Sequence, residues 1–157
     1  MNRFAIKRID KLTFTKLNTN TRINLIIQCV GMLTGTITHL LWIINNGFLS
    51  EKYNASISSR FFWDSLTFID PIAAILLILK PKIGIWVVAV IIVVDVLHNG
   101  TIYFGTLLSG SLSFTSWFKN NWMLWSQVLF LLFVLMSFKI NRKELKLKNR
   151  ETGNLFH

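Results

Sequence analysis

The sequence predicts an all-α, polytopic membrane protein of four transmembrane helices with both termini cytoplasmic, and three observations carry that reading. Of its 157 residues 52% are hydrophobic and 15% charged, with a mean hydropathy of +0.50, which is too apolar for a soluble domain of this size unless the apolar residues are pooled. They are pooled, in four stretches near the ~20 helical residues that a ~30 Å hydrocarbon core requires. Of 17 Lys and Arg, only Lys52, Arg60 and Lys119 fall in the first and third connections, so the positive-inside rule places both tails and the Lys80/Lys82 hairpin in the cytoplasm.

Residues 1–22 form a basic arm in which Arg3, Lys7, Arg8, Lys11, Lys16 and Arg22 alternate with Phe4, Ile6, Ile9, Leu12, Phe14 and Leu17. Such an arm is either an interfacial anchor or a solvated tail, and the long apolar run behind it is unlike a cleavable signal. The first span covers about 23–44. Gln28, Gly31, Gly35, Thr38 and His39 share one stripe there, and Gly31 with Gly35 makes a small-xxx-small pair suited to close helix approach. A polar loop over 45–60 leads to the second span, about 61–79. Pro71 inside it removes a backbone donor, which neighbouring groups must compensate at membrane depth.

Lys80-Pro81-Lys82 turns the chain into the third span, about 83–103, whose apolar run is interrupted by Asp95, His98 and Asn99. These lie at i, i+3 and i+4, on one helical face. A Gly/Ser-rich connection follows. The fourth span, about 122–138, is flanked by Trp117, Trp122 and Trp125 as interfacial aromatics. The four spans make one transmembrane domain over 23–138, and 139–157 is a basic cytoplasmic tail expected to be partly disordered.

At ~1.5 Å per residue, His39 and His98 come out ~22 Å from the inner boundary, Asp95 ~18 Å from it, and Asp70 ~14 Å below the outer one. Gln127 and Asn99 fall in the histidine layer and Asp64 nearer the surface. The expected site is therefore an outward-opening funnel, with Asp64 at its mouth, His39, His98, Asn99 and Gln127 in its wall, and Asp70 and Asp95 at its floor. Two carboxylates side by side repel when both are charged, which makes the floor pair proton-responsive. A purely structural use of each group is the competing expectation. An aspartate at bilayer depth costs ~2.5–3.5 kcal/mol on insertion scales, so the set is expensive as mere helix glue.

Several chemistries are narrowed. A net charge of +10 would suggest nucleic acid in a soluble protein, but with the basic residues at the ends it fits the surface of a lipid bilayer and no nucleic-acid partner. The single Cys29 has no second thiol for a dithiol relay. His39, Asp70, Asp95 and His98 are candidate metal ligands, without an HxxxH or HExxH spacing, and a haem would require His39 and His98 to face one another. The cofactor is left unknown.

Phe62-Trp63-Asp64-Ser65-Leu66-Thr67, Asp70-Pro71, Lys80-Pro81-Lys82-Ile83-Gly84 and Asp95-Val96-Leu97-His98-Asn99 resemble the signature of a group of small bacterial four-helix membrane proteins. That resemblance covers about a quarter of the chain and implies a bacterial inner membrane but no reaction. At the level of the fold alone, the four spans also resemble the family built around the sterol isomerases, which use acidic and histidine residues in a membrane pocket. The expected function is binding or assisted transport of a small ligand, proton or cation, for which alternating access by four spans would call for a homodimer. The alternatives are an intramembrane acid/base enzyme acting on a lipid-like substrate and a structural or assembly subunit.

Overall fold

The computed structural model describes Phe14 and residues 17–108 and 113–154. Most of the expected basic arm and the last three residues of the tail lie outside these. The regular structure among the described residues is helical: α1 (Thr19–Asn46), a single 3-10 turn (Glu51–Tyr53), α2 (Ile57–Leu79), α3 (Pro81–Leu108), α4 (Phe114–Asn120) and α5 (Trp122–Asn154). Four of these, α1, α2, α3 and α5, are long and apolar enough to cross a membrane. Their outer faces expose Ile, Leu, Val and Phe in continuous rows, which are compatible with lipid contact.

Each long helix carries its inward residues at spacings of three and four, alternating except at the last step of α5. On α1 the row is Thr21, Leu25, Gln28, Met32, Gly35, His39, Trp42 and Asn46; on α2 it is Ser59, Trp63, Leu66, Asp70, Ala73 and Leu77. On α3 it is Ile85, Val88, Ile92, Asp95 and Asn99, and on α5 Gln127, Phe130, Val134, Ser137, Asn141 and Leu145. This seven-residue repeat keeps one narrow seam facing the partner helices, the pattern of a left-handed bundle. The helices pack in a ring in which α1 meets α2, α2 meets α3 and α3 meets α5, while α5 meets α1 more lightly.

Alternating directions bring the start of α1, the end of α5 and the α2–α3 turn to one end of the bundle, called here the terminal end. The core there is apolar, with Leu25, Met32, Leu77, Ile85, Val88, Val134 and Leu145 in one cluster. Polar pairs tie α1 to α5 along the same half. The Asn18 backbone N–H donates to Glu144 at 2.7 Å and its side-chain amide to the same carboxylate. Asn24 donates to Asn141 (3.2 Å) and Gln28 to Ser137 (3.0 Å).

Local chemistry sets the helix ends. Asn18 caps α1 by accepting from the Thr21 N–H (2.8 Å), and Gly47, at φ 91°, ends it. Ser56 caps α2, which starts at Ile57, four residues ahead of the expected span. Gly84 lets α3 lie directly on α2, since a Cβ there would stand 2.5 Å from the Leu77 nitrogen. Two expectations change. The Gly/Ser-rich connection contains a helix, α4. The segment from Lys139 to Asn154 is a continuation of α5 and not a loose tail, because Asn141 and Leu145 extend its seam into the core among helix-forming Lys, Glu and Leu.

Two of the three glycines of α3, Gly84 and Gly105, separate packing from propensity. Gly84→Ala puts a methyl group against backbone that cannot yield, and is expected to destabilise the detergent-solubilised protein by about 1–3 kcal/mol. Gly105→Ala meets nothing within 4 Å and is expected to be neutral or slightly stabilising. Reversible unfolding in mixed micelles, followed by circular dichroism, gives both values.

Candidate functional site

Three aspartates reach the buried seams of α2 and α3, and the fold treats each differently. Asp64 is fully buried and engaged on both oxygens: Oδ2 accepts the Leu49 backbone N–H at 2.6 Å and Oδ1 the Tyr53 hydroxyl at 2.6 Å. Leu49 has φ 55°, an unfavourable conformation for a branched side chain, and the carboxylate holds it there. Tyr53 is stacked between Trp42 of α1 and Trp63 of α2, with ring centroids 4.7 and 5.0 Å away. Asp64 therefore pins the α1–α2 loop over its own seam. The expectation that it stands at the mouth of the site is corrected: it does not line the cavity, because the loop consumes both of its oxygens.

Asp95 is partly engaged. It accepts from Asn99 one helical turn away (2.9 Å), and Asn99 is the hub of this layer. The second amide hydrogen of Asn99 goes to Gln127 Oε1 of α5 (3.0 Å), and its carbonyl oxygen accepts from the Trp63 indole of α2 (2.8 Å). With both donors and the acceptor used, Asn99 holds three helices in register and stands behind the cavity wall instead of in it.

Asp70 is the least satisfied. It is 5% exposed, its Oδ1 is buried with no hydrogen-bond partner, and its Oδ2 occupies the space left by Gly35, where a Cβ would lie 2.6 Å away. The Gly31/Gly35 pair thus makes room for side chains from other helices: Gly31 faces the Phe130 ring of α5 and Gly35 the Asp70 carboxylate of α2.

Asp70 and Asp95 line one cavity of about 740 Å³, within electrostatic reach of each other. His39, Trp42 and Gln127 share its wall, with Leu66, Ile91, Ile92 and Phe130 as apolar lining. Phe130 against Gly31 closes it toward the terminal end. Above that contact the cavity reaches the surface between α1 and α5 past exposed Thr34, Thr38, Leu41, Trp122 and Ser126, and at the loop end past exposed Asn45.

The other seams are covered at the loop end. Tyr53 covers α1–α2. On the α3–α5 side, Trp117 of α4 is fully buried against Phe104 and Trp125 and donates to the Tyr103 carbonyl at 2.8 Å.

His98 does not join the site. Its ring lies on Phe62 (4.5 Å) and against Trp63 (5.6 Å), its Nε2 is buried without a partner, and it is not part of the cavity lining. Three residues on from Asp95 its side chain is offset by about 60° round α3, on the side that meets Phe62 and Trp63 of α2. The expected quartet His39, Asp70, Asp95 and His98 is therefore split. Among the described residues no three His, Cys, Asp or Glu side chains are placed to hold one ion.

The residue reading from sequence passed over Trp42, which lines the cavity with a buried, unpartnered Nε1–H. The three-four spacing from Gly35 through His39 leads to it, and extending that row would have found it. The chain matches no family model, no curated protein and no solved structure, so the cavity's own chemistry carries the functional reading.

The loop anchor yields a measurable consequence. Burial, and then the hydrogen bond and charge of Asp64, push the Tyr53 hydroxyl above its ordinary value of 10.0. A raised folded-state value contributes stability that is complete below pH 10.0 and is lost as pH rises toward the folded value. Tyr53→Phe is expected to show a smaller loss of stability above that pH than the native protein. Asp64→Ala leaves two buried donors without an acceptor and is expected to cost about 1.5–3 kcal/mol at neutral pH. Unfolding midpoints across the alkaline range check both.

Proposed function

We propose that this is a multi-pass protein with both termini cytoplasmic, whose cavity binds a small ligand, proton or cation at Asp70 and Asp95 in a binding, sensing or transport-accessory role. The orientation rests on the Lys and Arg at the terminal end, and placement in a bacterial inner membrane rests on the signature around Asp64, Asp70, Asp95 and His98. A single observation carries the binding role: Asp70 has a buried Oδ1 without a partner beside a cavity it shares with Asp95. A buried polar atom left unpaired costs about 1–3 kcal/mol, and more when charged. A group retained only to fasten helices would be expected to find a partner, as Asp64 does.

A second reading draws on His39. An imidazole and two carboxylates around a shielded cavity are the groups of an acid/base catalyst, and a lipid-like substrate could enter between α1 and α5. Turnover of added lipid-like substrate by the purified protein, lost in His39→Ala, would replace the binding role with this one.

The test is made on the full chain in lipid nanodiscs. The native protein is expected to release protons when titrated through neutral pH or to carry a bound species in its native mass spectrum. Asp70→Asn and Asp95→Asn, folded by circular dichroism, are expected to lose that signal. Gly35→Ala, which pushes on the Asp70 carboxylate without removing it, is expected to weaken it by about tenfold, or 1.4 kcal/mol. Folded variants with native proton release and native bound species would leave the carboxylates as scaffold and overturn the reading.

A further inference from the structure

The ligand class follows from what surrounds the two carboxylates and from where the cavity opens. Among the described residues no lysine or arginine lines it and His39 is its one imidazole, so a cationic ligand is the species that would complement Asp70 and Asp95. Asp70 is nine-tenths buried, with an oxygen that no donor in the described protein meets. A bare metal ion fits poorly, because hard cations take six or more oxygens and no group of three acidic, histidine or cysteine side chains gathers among the described residues. The rest of the wall mixes neutral polar groups such as Thr38 and Gln127, and His39, with apolar and aromatic ones, among which Trp42, Trp122 and Phe130 offer ring faces that attract a weakly hydrated organic cation. The volume, about 740 Å³, lies in the range of small-molecule sites.

The route is set by the seams. The α1–α2 and α3–α5 seams are roofed by Tyr53 and Trp117. The α1–α5 seam is fastened in its terminal half by the Asn18–Glu144, Asn24–Asn141 and Gln28–Ser137 pairs. What stays open is the loop-end half of α1–α5, bordered by helix faces that expose Ile37, Leu40, Leu41 and Leu129. That border is the bilayer itself.

We propose that the cavity takes an amphipathic monovalent ammonium ion, an apolar body bearing one positively charged nitrogen, which enters sideways from the membrane between α1 and α5 and places its nitrogen against Asp70 and Asp95. This rests on the reading of the cavity as a binding site and adds the ligand's charge, its apolar body and its route.

The test uses the full chain in phosphatidylcholine nanodiscs and n-octyltrimethylammonium as the probe. Its neutral all-carbon isostere and tetramethylammonium serve as comparisons, and tryptophan fluorescence reports binding. Saturable binding of the octyl ammonium is expected, at least about tenfold tighter than either comparison and at least about tenfold weaker in Asp70→Asn. Ser126→Trp adds bulk at an exposed position in the cleft mouth. It is expected to abolish binding with an unchanged melting temperature, which keeps the test decisive if Asp70→Asn does not fold.

Equal binding of the neutral isostere, or full binding in folded Asp70→Asn, overturns the inference, as does full binding in Ser126→Trp. If the ammonium does not bind while proton release dependent on Asp70 and Asp95 persists, the ligand class falls and the binding-site reading stands. If neither signal is present, both fall.

Discussion

Hydrocarbon offers no partner to a polar group, and the arrangement of this protein follows from how each buried polar group is met. The three aspartates of α2 and α3 form a graded series. Asp64 has a donor on each oxygen and anchors a loop; Asp95 has Asn99; Asp70 has an oxygen with none. Stability is invested where the donors are, and the capacity to bind is left where they are missing.

The same constraint divides the bundle along its length. In the terminal half the seams are apolar apart from the Asn18–Glu144 pair at the end and neutral pairs such as Gln28–Ser137, the latter each worth well under 2 kcal/mol in a membrane but enough to set the rotation of α1 against α5. In the loop-end half the seams carry Trp63, Asp70, Asp95, Asn99 and Gln127, and the Asn99 hub holds α2, α3 and α5 together without α1. The α1–α5 hydrogen bonds named above all lie below Phe130, and the cavity lies above it.

Aromatic residues finish the enclosure. Trp42–Tyr53–Trp63 and Phe104–Trp117–Trp125 are two aromatic clusters at the loop end, each joining two long helices through a residue of the intervening connection. A sequence reading assigns such tryptophans to the interface with water. In the fold several of them roof seams, and Trp42 also faces the cavity.

The four helices, their approximate limits and the concentration of polar groups in one layer were legible in the residues themselves, because hydrophobic length and the three-four repeat are local properties of a helix. His39, Asp70, Asp95 and Gln127, which the structure brings to one cavity, were all marked by being polar at membrane depth. Tertiary structure alone decided which polar residues kept a free valence. Asp64 and Asp70 look alike in sequence, six residues apart on one helix, yet the first meets a loop whose backbone donor depends on Gly47 and Leu49 and the second meets an empty space beside Gly35. His98 and Asp95 are three residues apart, and only the rotation of α3 against α2 turns one toward Phe62 and the other toward the cavity. Partnering depends on the relative rotation, depth and separation of helices distant in sequence, and no periodicity along one chain segment contains that information.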